Sequence, residues 1–319
     1  MTGLRIFWLA ATALLAATSS ASAHTYPAQT VKIVVPFSAG SITDGLARIL
    51  AEKLAEMWKQ QVIVENRPGI PGTTGVAKAA PDGYTLMLTS NGHTIAGAIT
   101  KSLQFDPVKD FAGVSQVATV PLVMIVPPDL PAKTLKDVIA LANQKPGSLN
   151  FSSAGVASTS YLSAEVFKQQ AKIDIVHVPF RGAPEAVTAV VRGDVQLYFA
   201  PIPTAQELGA TKKVQVIAIN SAKRVPQLPD IPTVAEAGVP GYKYDSWFGV
   251  MAPAGTPRAI LAKVSQDIAK ALALPDVNER LLSQGSIPAP TAPEQFDAII
   301  KADTERYAKI LKDAGIEPQ

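Results

Sequence analysis

Short apolar runs rich in Val and Ile alternate with segments of helical period along most of this chain. That alternation constrains the fold more than any single motif. Val31 to Val35 reads as a buried strand, after which Leu46, Ile49, Leu50, Leu54, Met57 and Trp58 repeat at helical spacing. Val62-Ile63-Val64 and Thr85 to Thr89 are the next strands. The pattern resumes with a helix over 134–143, a strand over 149–152, a helix over 160–170, a strand over 175–178, a helix over 184–192, and strands over 195–199 and 214–219. Strands separated by helices predict an α/β fold with parallel sheets covered on both faces. The final third is mostly helical. Thr256-Pro257 reads as an N-cap with a first-turn proline, and Thr291-Ala292-Pro293-Glu294 has the spacing of a capping box. Phe296, Ile299, Ile300, Tyr307, Ile310 and Leu311 mark one apolar stripe.

A length of 319 residues predicts about two domains of ~100–200 residues each. Two segments read as strands that run between them: Val114 to Val126, unusually long and apolar, and Trp247 to Ala252. With both crossing, residues 24–120 and 246–319 form a discontinuous first domain and 121–245 form the second. A cleft between two hinged domains is a common place for a small ligand.

Composition removes whole classes of function. Hydrophobic residues make up 47% and charged residues 17%, so the chain is neither disordered nor short of core. A net charge of +3 with no run of like charges gives no nucleic-acid face. The absence of cysteine removes disulfides, thiol catalysis and Cys-ligated zinc together.

Residues 1–23 read as a secretory signal. Arg5 supplies the positive start, and Ile6 to Ala17 is an apolar run too short to span ~30 Å of hydrocarbon. Ala21-Ser22-Ala23 then presents small residues where a signal peptidase cuts, so cleavage is expected after Ala23, leaving His24 first. An exported chain without cysteine is consistent with a bacterial periplasm.

In a parallel α/β sheet the ligand crevice lies at the carboxyl ends of the strands. Four loops stand there. Phe37, Ser38, Ala39, Gly40, Ser41, Thr43 and Asp44 follow the first strand; Ser90 and Asn91 follow the strand at Thr85; Ser158, Thr159, Ser160 and Tyr161 precede the helix over 160–170; Phe180 and Arg181 follow the strand over 175–178. Three of these loops are small and hydroxyl-rich and open a helix. Helix N-termini carry unpaired N–H groups and about half a positive charge, so they hold carboxylate or phosphate without a cationic side chain. Gly40 and Gly155 let the backbone approach a ligand. Each feature also has a plainer role. Ser and Thr before a helix serve as N-caps. Asp44 is either a solvent-facing helix-start charge or the residue that shapes its loop. Arg181 fits a bidentate fork on a ligand carboxylate and equally a structural ion pair. Phe37 and Phe180 wall the cleft or join the core.

Enzyme signatures are missing: no G-x-S-x-G elbow, S-x-x-K motif, P-loop or H-E-x-x-H occurs. Histidine is limited to His24, His93 and His177, too little to assign a metal site, and no cofactor is expected. A serine hydrogen-bonded to His93 or His177 is the feature that favours a hydrolase or isomerase on this scaffold.

Six segments together carry a resemblance: Pro36-Phe37-Ser38-Ala39-Gly40-Ser41-Ile42-Thr43-Asp44; Glu65-Asn66-Arg67-Pro68-Gly69; Pro81-Asp82-Gly83-Tyr84-Thr85-Leu86; Val178-Pro179-Phe180-Arg181-Gly182; Leu228-Pro229-Asp230-Ile231-Pro232-Thr233 with Glu236-Ala237-Gly238; and Ala252-Pro253-Ala254-Gly255-Thr256-Pro257. In this order the chain resembles the Bug family of extracytoplasmic solute receptors, which serve tripartite tricarboxylate transporters. The resemblance runs from about Tyr26 to the C-terminus. It implies a two-domain, type II-like periplasmic-binding-protein fold with a closing cleft. It also implies that ligand carboxylates are held by Ser38 to Thr43 and by Ser158 to Tyr161, and that the bound form is presented to transporter membrane subunits. The chain departs from the family pattern at Ser41, at Ala157 and Tyr161, and at Phe180-Arg181, where a second glycine, glycine and histidine, and Tyr-Lys are common. These positions bear on ligand identity more than on fold. The expectation is therefore a non-enzymatic periplasmic receptor for a small organic carboxylate. Alternatives are the hydrolase or isomerase above and a sensory receptor serving a membrane kinase.

Overall fold

A computed structural model describes residues 26–155, 158–180, 182–242, 244, 246–313, 315 and 317–318. The expected signal segment, His24, Ala157 and Arg181 lie outside the described residues. The chain opens with β1 (Val31–Val35), α1 (Ile42–Trp58), β2 (Val62–Asn66), α2 (Ile70–Ala77) and β3 (Thr85–Ser90). A 3-10 turn (Asn91–Ile95), α3 (Ala96–Ile99) and β4 (Phe111–Thr119) follow. Next come β5 (Leu122–Val126), α4 (Leu135–Gln144), β6 (Asn150–Ser153), α5 (Thr159–Ala171), β7 (Val176–Pro179), α6 (Ala183–Arg192), β8 (Tyr198–Pro201), α7 (Ile202–Ala210) and β9 (Gln215–Ile219). The chain then returns through β10 (Trp247–Pro253), α8 (Arg258–Leu272), α9 (Pro275–Ser283), β11 (Ile287–Pro288) and α10 (Pro293–Asp313).

Two α/β lobes result. The first is built on a sheet of order β11-β4-β10-β3-β1-β2. In the second, β8-β5-β9 form one sheet and β6-β7 another, joined by a parallel bridge between Phe151 and Leu197. The wholly parallel sheets expected from the sequence are corrected here. β1 runs parallel to β2 and β3, and β6 runs parallel to β7. By contrast β10 is antiparallel to β3 and β4, and β5 is antiparallel to β8 and β9. The reason is topological. Strands followed by helices end at the edge facing the other lobe. A strand that arrives from that other lobe begins at this edge and must run the opposite way. β5 and β10 are those two strands.

The segment 114–126 is also two strands rather than one. Val120-Pro121 separates β4 from β5, and Pro121 has no N–H for a ladder. At this crossing the Ser246 hydroxyl donates to the Val120 carbonyl and ties the outgoing and returning segments together.

The core follows the predicted stripes. Val31, Ile33 and Val35 of β1 are fully buried, and Leu46, Leu50 and Leu54 stack against them along one side of α1. The same apolar cluster includes Phe151, Tyr161 and Phe199 of the second lobe. Two helix starts differ from expectation. α8 begins after Pro257, and the Thr256 hydroxyl donates to the Pro253 carbonyl instead of capping. Ahead of α10, Thr291 Oγ1 accepts from the Gln116 N–H, and Gln295 Oε1 accepts from the Ala292 N–H. At Thr256 a carbonyl three residues back takes the hydroxyl, and at Thr291 a partner far along the chain does.

Candidate functional site

The loop after β1 is held by one carboxylate. Asp44 Oδ2 accepts from the Gly40 N–H at 2.9 Å and from Arg48 Nε at 3.0 Å, and its Oδ1 accepts from Asn66 Nδ2 at 3.0 Å. Asn66 also donates to the Phe37 carbonyl at 3.2 Å, so the residue that ends β2 fastens the loop that follows β1. Burial works to raise the Asp44 pKa. The hydrogen bonds from Arg48, Gly40 and Asn66, with the Arg48 charge, outweigh it and hold the carboxyl below its usual range. Gly40 sits at φ 79°, a conformation that favours glycine. Ser38, Ala39 and Gly40 are exposed, Phe37 and Ser41 are half-buried, and Thr43 is buried.

The two helix starts have the same build. Ser41 Oγ accepts from the Asp44 N–H at 3.2 Å, and Ser158 Oγ accepts from the Tyr161 N–H at 3.2 Å. Each serine thus caps the third residue of its helix. The N–H groups of Ile42 and Thr43, and of Thr159 and Ser160, have no carbonyl within their own helix. In the second loop Ser158 Oγ also donates to the Gly155 carbonyl at 2.6 Å, and Ser160 Oγ accepts from the Ala154 N–H at 3.1 Å. Gly155 has φ 108°. Ser158 and Thr159 are half-buried, and Ser160 and Tyr161 are buried.

Parallel register gathers these loops. β1 and β3 run together, so the 37–41 loop and Asn91 leave one edge of the first sheet. β6 and β7 run together, so the α5 start and Phe180 leave one edge of the second. Tyr244 joins the two edges: its hydroxyl accepts from Asn91 Nδ2 at 3.1 Å and donates to the Thr159 carbonyl at 3.0 Å. Ser90 and Asn91 are buried. Phe180 is half-buried and lines an open groove of about 360 Å³ with Pro184, Thr188 and Arg192. The Tyr161 side chain packs inward, its ring 4.7 Å from His177 and 6.4 Å from Phe151.

The histidines lie apart. His93 is buried against Phe105 and Phe111, with Nε2 at 2.8 Å from the Pro107 carbonyl. His177 Nε2 lies 2.7 Å from Ser153 Oγ. Burial pushes both imidazoles down to about 4. Among the described residues no group of three or more His, Asp or Glu side chains is placed to hold a metal ion, and no helix is long and apolar enough to cross a membrane.

Asn66, Arg48, Tyr244 and Ser153 take part in this geometry although the sequence reading did not assign them to the ligand site. Asn66 ends a strand at the crevice edge, so the rule applied to the other loops also marks it. Tyr244 lies in an irregular return segment with no local signature.

Two α/β lobes joined by crossing strands, with the carboxyl-edge loops of both brought to the junction, define the periplasmic-binding-protein class of solute receptors. Residues 46–316 match the Tripartite tricarboxylate transporter family receptor, and the chain belongs to that family. It is similar to Protein BugT of Bordetella pertussis, with 34% identity over 299 residues covering 92% of each chain. Among solved structures it is similar to R. palustris Rpa4515 with adipate (TM-score 0.82, 34% identity, 92% of this chain and 100% of that one). It is also similar to MatC of Rhodopseudomonas palustris with bound malate (TM-score 0.78, 33% identity, 90% and 100%).

Proposed function

We propose that this receptor captures a small organic dicarboxylate in the periplasm. Residues 38–43 hold one carboxylate and residues 158–161 hold the other. The observation that carries this reading is the matched pair of helix starts at Ser41 and Ser158. Each leaves two N–H groups free of intrahelical partners, and Tyr244 ties the second start to Asn91, which leaves the same sheet edge as the 37–41 loop. A hydrogen bond to a charged ligand contributes roughly 1.5–3 kcal/mol. A few of them give micromolar binding, about −8 kcal/mol, after association costs. The reading divides the lobes at 24–120 with 246–319 and at 121–245, takes residues 1–23 as a cleaved export signal, and has transporter membrane subunits receive the bound form. Phe37, Ser90, Asn91 and Phe180 complete the walls, and Arg181, outside the described residues, is proposed to pair with a ligand carboxylate.

Adipate and malate, found bound in the two similar structures, are the first ligands to try. A thermal-shift screen of dicarboxylates is expected to stabilise the protein by ~2.7 kcal/mol at a hundredfold excess over Kd. Calorimetry then measures Kd. A panel of organic acids that leaves the melting temperature unmoved overturns the reading.

The contact between Ser153 and His177 favours a second reading, in which the pair performs acyl or isomerase chemistry. Three observations weigh against it. The Ser153 side chain is fully buried, the imidazole stacks on Phe151 and packs at a tilt against Tyr161, and a base with its pKa near 4 abstracts protons poorly at neutral pH. Recovery of bound acid chemically unchanged after prolonged incubation is the outcome expected of a receptor. Conversion that Ser153→Ala abolishes would establish the enzyme.

A further inference from the structure

We infer that Tyr244 is a positioning residue that couples the arrangement of the two lobes to ligand capture. Its hydroxyl, oriented by Asn91, holds the start of α5 against the carboxyl edge of β3. This rests on the receptor reading above and adds to it the group through which the lobes sense one another.

Tyr244 lies three residues before β10, where the chain crosses from the second lobe to the first. Its side chain is almost wholly buried, and its ring is 6.3 Å from that of Tyr307 on α10. The ring therefore packs against the first lobe. Asn91 Nδ2 is a donor only, so the phenol oxygen accepts there and its one proton is left for the Thr159 carbonyl. Asn91 thus sets the direction in which the tyrosine donates. Its own Oδ1 is buried with no hydrogen-bond partner, so Tyr244 is the amide side chain's anchor. Burial keeps the phenol protonated.

Both ends of this relay lie in ligand loops. Asn91 is the first residue beyond β3, and Thr159 is the first residue of α5. Any hinge rotation that draws α5 away from β3 breaks the bond from Tyr244 to Thr159. The bond therefore favours the arrangement in which both loops face one ligand. Removing it lowers the population of that arrangement and weakens apparent affinity, although no atom touching the ligand is lost.

The test uses a chain that has no cysteine of its own. Dyes on Glu56→Cys in α1 and Glu207→Cys in α7 report lobe separation by single-molecule energy transfer. In the ligand-free protein, Tyr244→Phe is expected to shift the distribution toward larger separation. Tyr26→Phe is the control: it removes a half-buried hydroxyl bond to the Gly83 carbonyl inside the first lobe and leaves the distribution unchanged. Adipate and malate titrations of the same proteins are expected to show about 5–10-fold weaker binding for Tyr244→Phe alone. Should Tyr244→Phe fail to fold, Asn91→Asp serves instead. The new carboxylate draws the phenol proton away from Thr159 and produces the same shift in separation. A distribution identical to wild type in these variants overturns the inference, as does an equal loss of affinity in Tyr26→Phe. If neither acid binds the wild-type protein, the ligand reading fails while the separation measurement still decides the coupling.

Discussion

Asn66 Nδ2 donates to Asp44 Oδ1 at 3.0 Å, and through that bond the end of β2 fixes the loop after β1. The same carboxylate takes the Gly40 N–H, so three elements meet on one side chain that is almost wholly buried. Asp44→Ala strips these partners at once and frees residues 38–40. Ligand affinity is expected to fall by about tenfold or more by calorimetry, with a stability loss of about 1–3 kcal/mol in urea. Unchanged affinity would place the ligand elsewhere.

Ser41→Asp and Ser158→Asp separate capping from binding. Asp caps a helix as well as Ser does, and its charge suits a helix N-terminus. Ser41→Asp should therefore melt within about 2 °C of wild type, whereas Ser158→Asp also loses the bond its hydroxyl gives the Gly155 carbonyl and should melt a few degrees lower. Their carboxylates face that of the ligand, so binding should be lost. Wild-type affinity by calorimetry in either variant removes that loop from the site.

Gly249 sits in β10 under the ring of Phe296, where an added Cβ would lie 2.2 Å from the ring. The strand is flanked by β3 and β4 and cannot shift freely. Gly249→Ala is expected to destabilise by about 1–3 kcal/mol through overpacking, while ligand affinity in the folded fraction stays near wild type. Denaturant unfolding and calorimetry on the same sample check both halves.

Much of this arrangement was legible in the sequence because it is local. The apolar stripe of Leu46, Leu50 and Leu54 and the hydroxyl-rich starts at Ser41 and Ser158 depend on spacing within one element. What escaped depends on partners far along the chain. Strand direction in β5 and β10 follows from which lobe the chain has left, which local spacing does not encode. Thr291 has a capping pattern, yet Gln116, 175 positions away, takes its hydroxyl. Tyr244 meets Thr159 across 85 positions and Asn91 across 153, with nothing beside it to mark the role. Tyr161 reads equally as a ligand contact and as a packing residue, because the positions of Phe151 and His177 beside its ring are not written in local spacing.

His93 and His177 make the fold sensitive to mild acid in a window of their own. Burial lowers both to about 4, with the Lys168 charge a further cause at His177, whereas an unfolded chain has histidines near pH 6.5. Below about pH 6.5 the unfolded chain takes up protons that the folded chain refuses. Stability therefore falls as pH drops from about 6.5 toward 4, and it is level above about pH 7. Asp44 acts in a lower range, whereas Glu165 and Asp297, whose pKa values burial raises, gain protons on folding in mild acid and oppose the histidine slope. The folded pKa of Asp44 is held down, so its contribution is present above about pH 4 and is lost as pH falls through the folded value. The difference in melting temperature between wild type and histidine variants, followed between about pH 4.5 and 7, should report the histidines against that background. His177→Gln keeps an amide beside Ser153 Oγ and removes the titration. It should flatten part of the slope, restoring about 1 kcal/mol or more at the acid end relative to its own neutral value. Adding His93→Gln should flatten the rest. A double variant that retains the wild-type slope would show that other groups bind those protons, and that the two imidazoles are not held neutral by the fold.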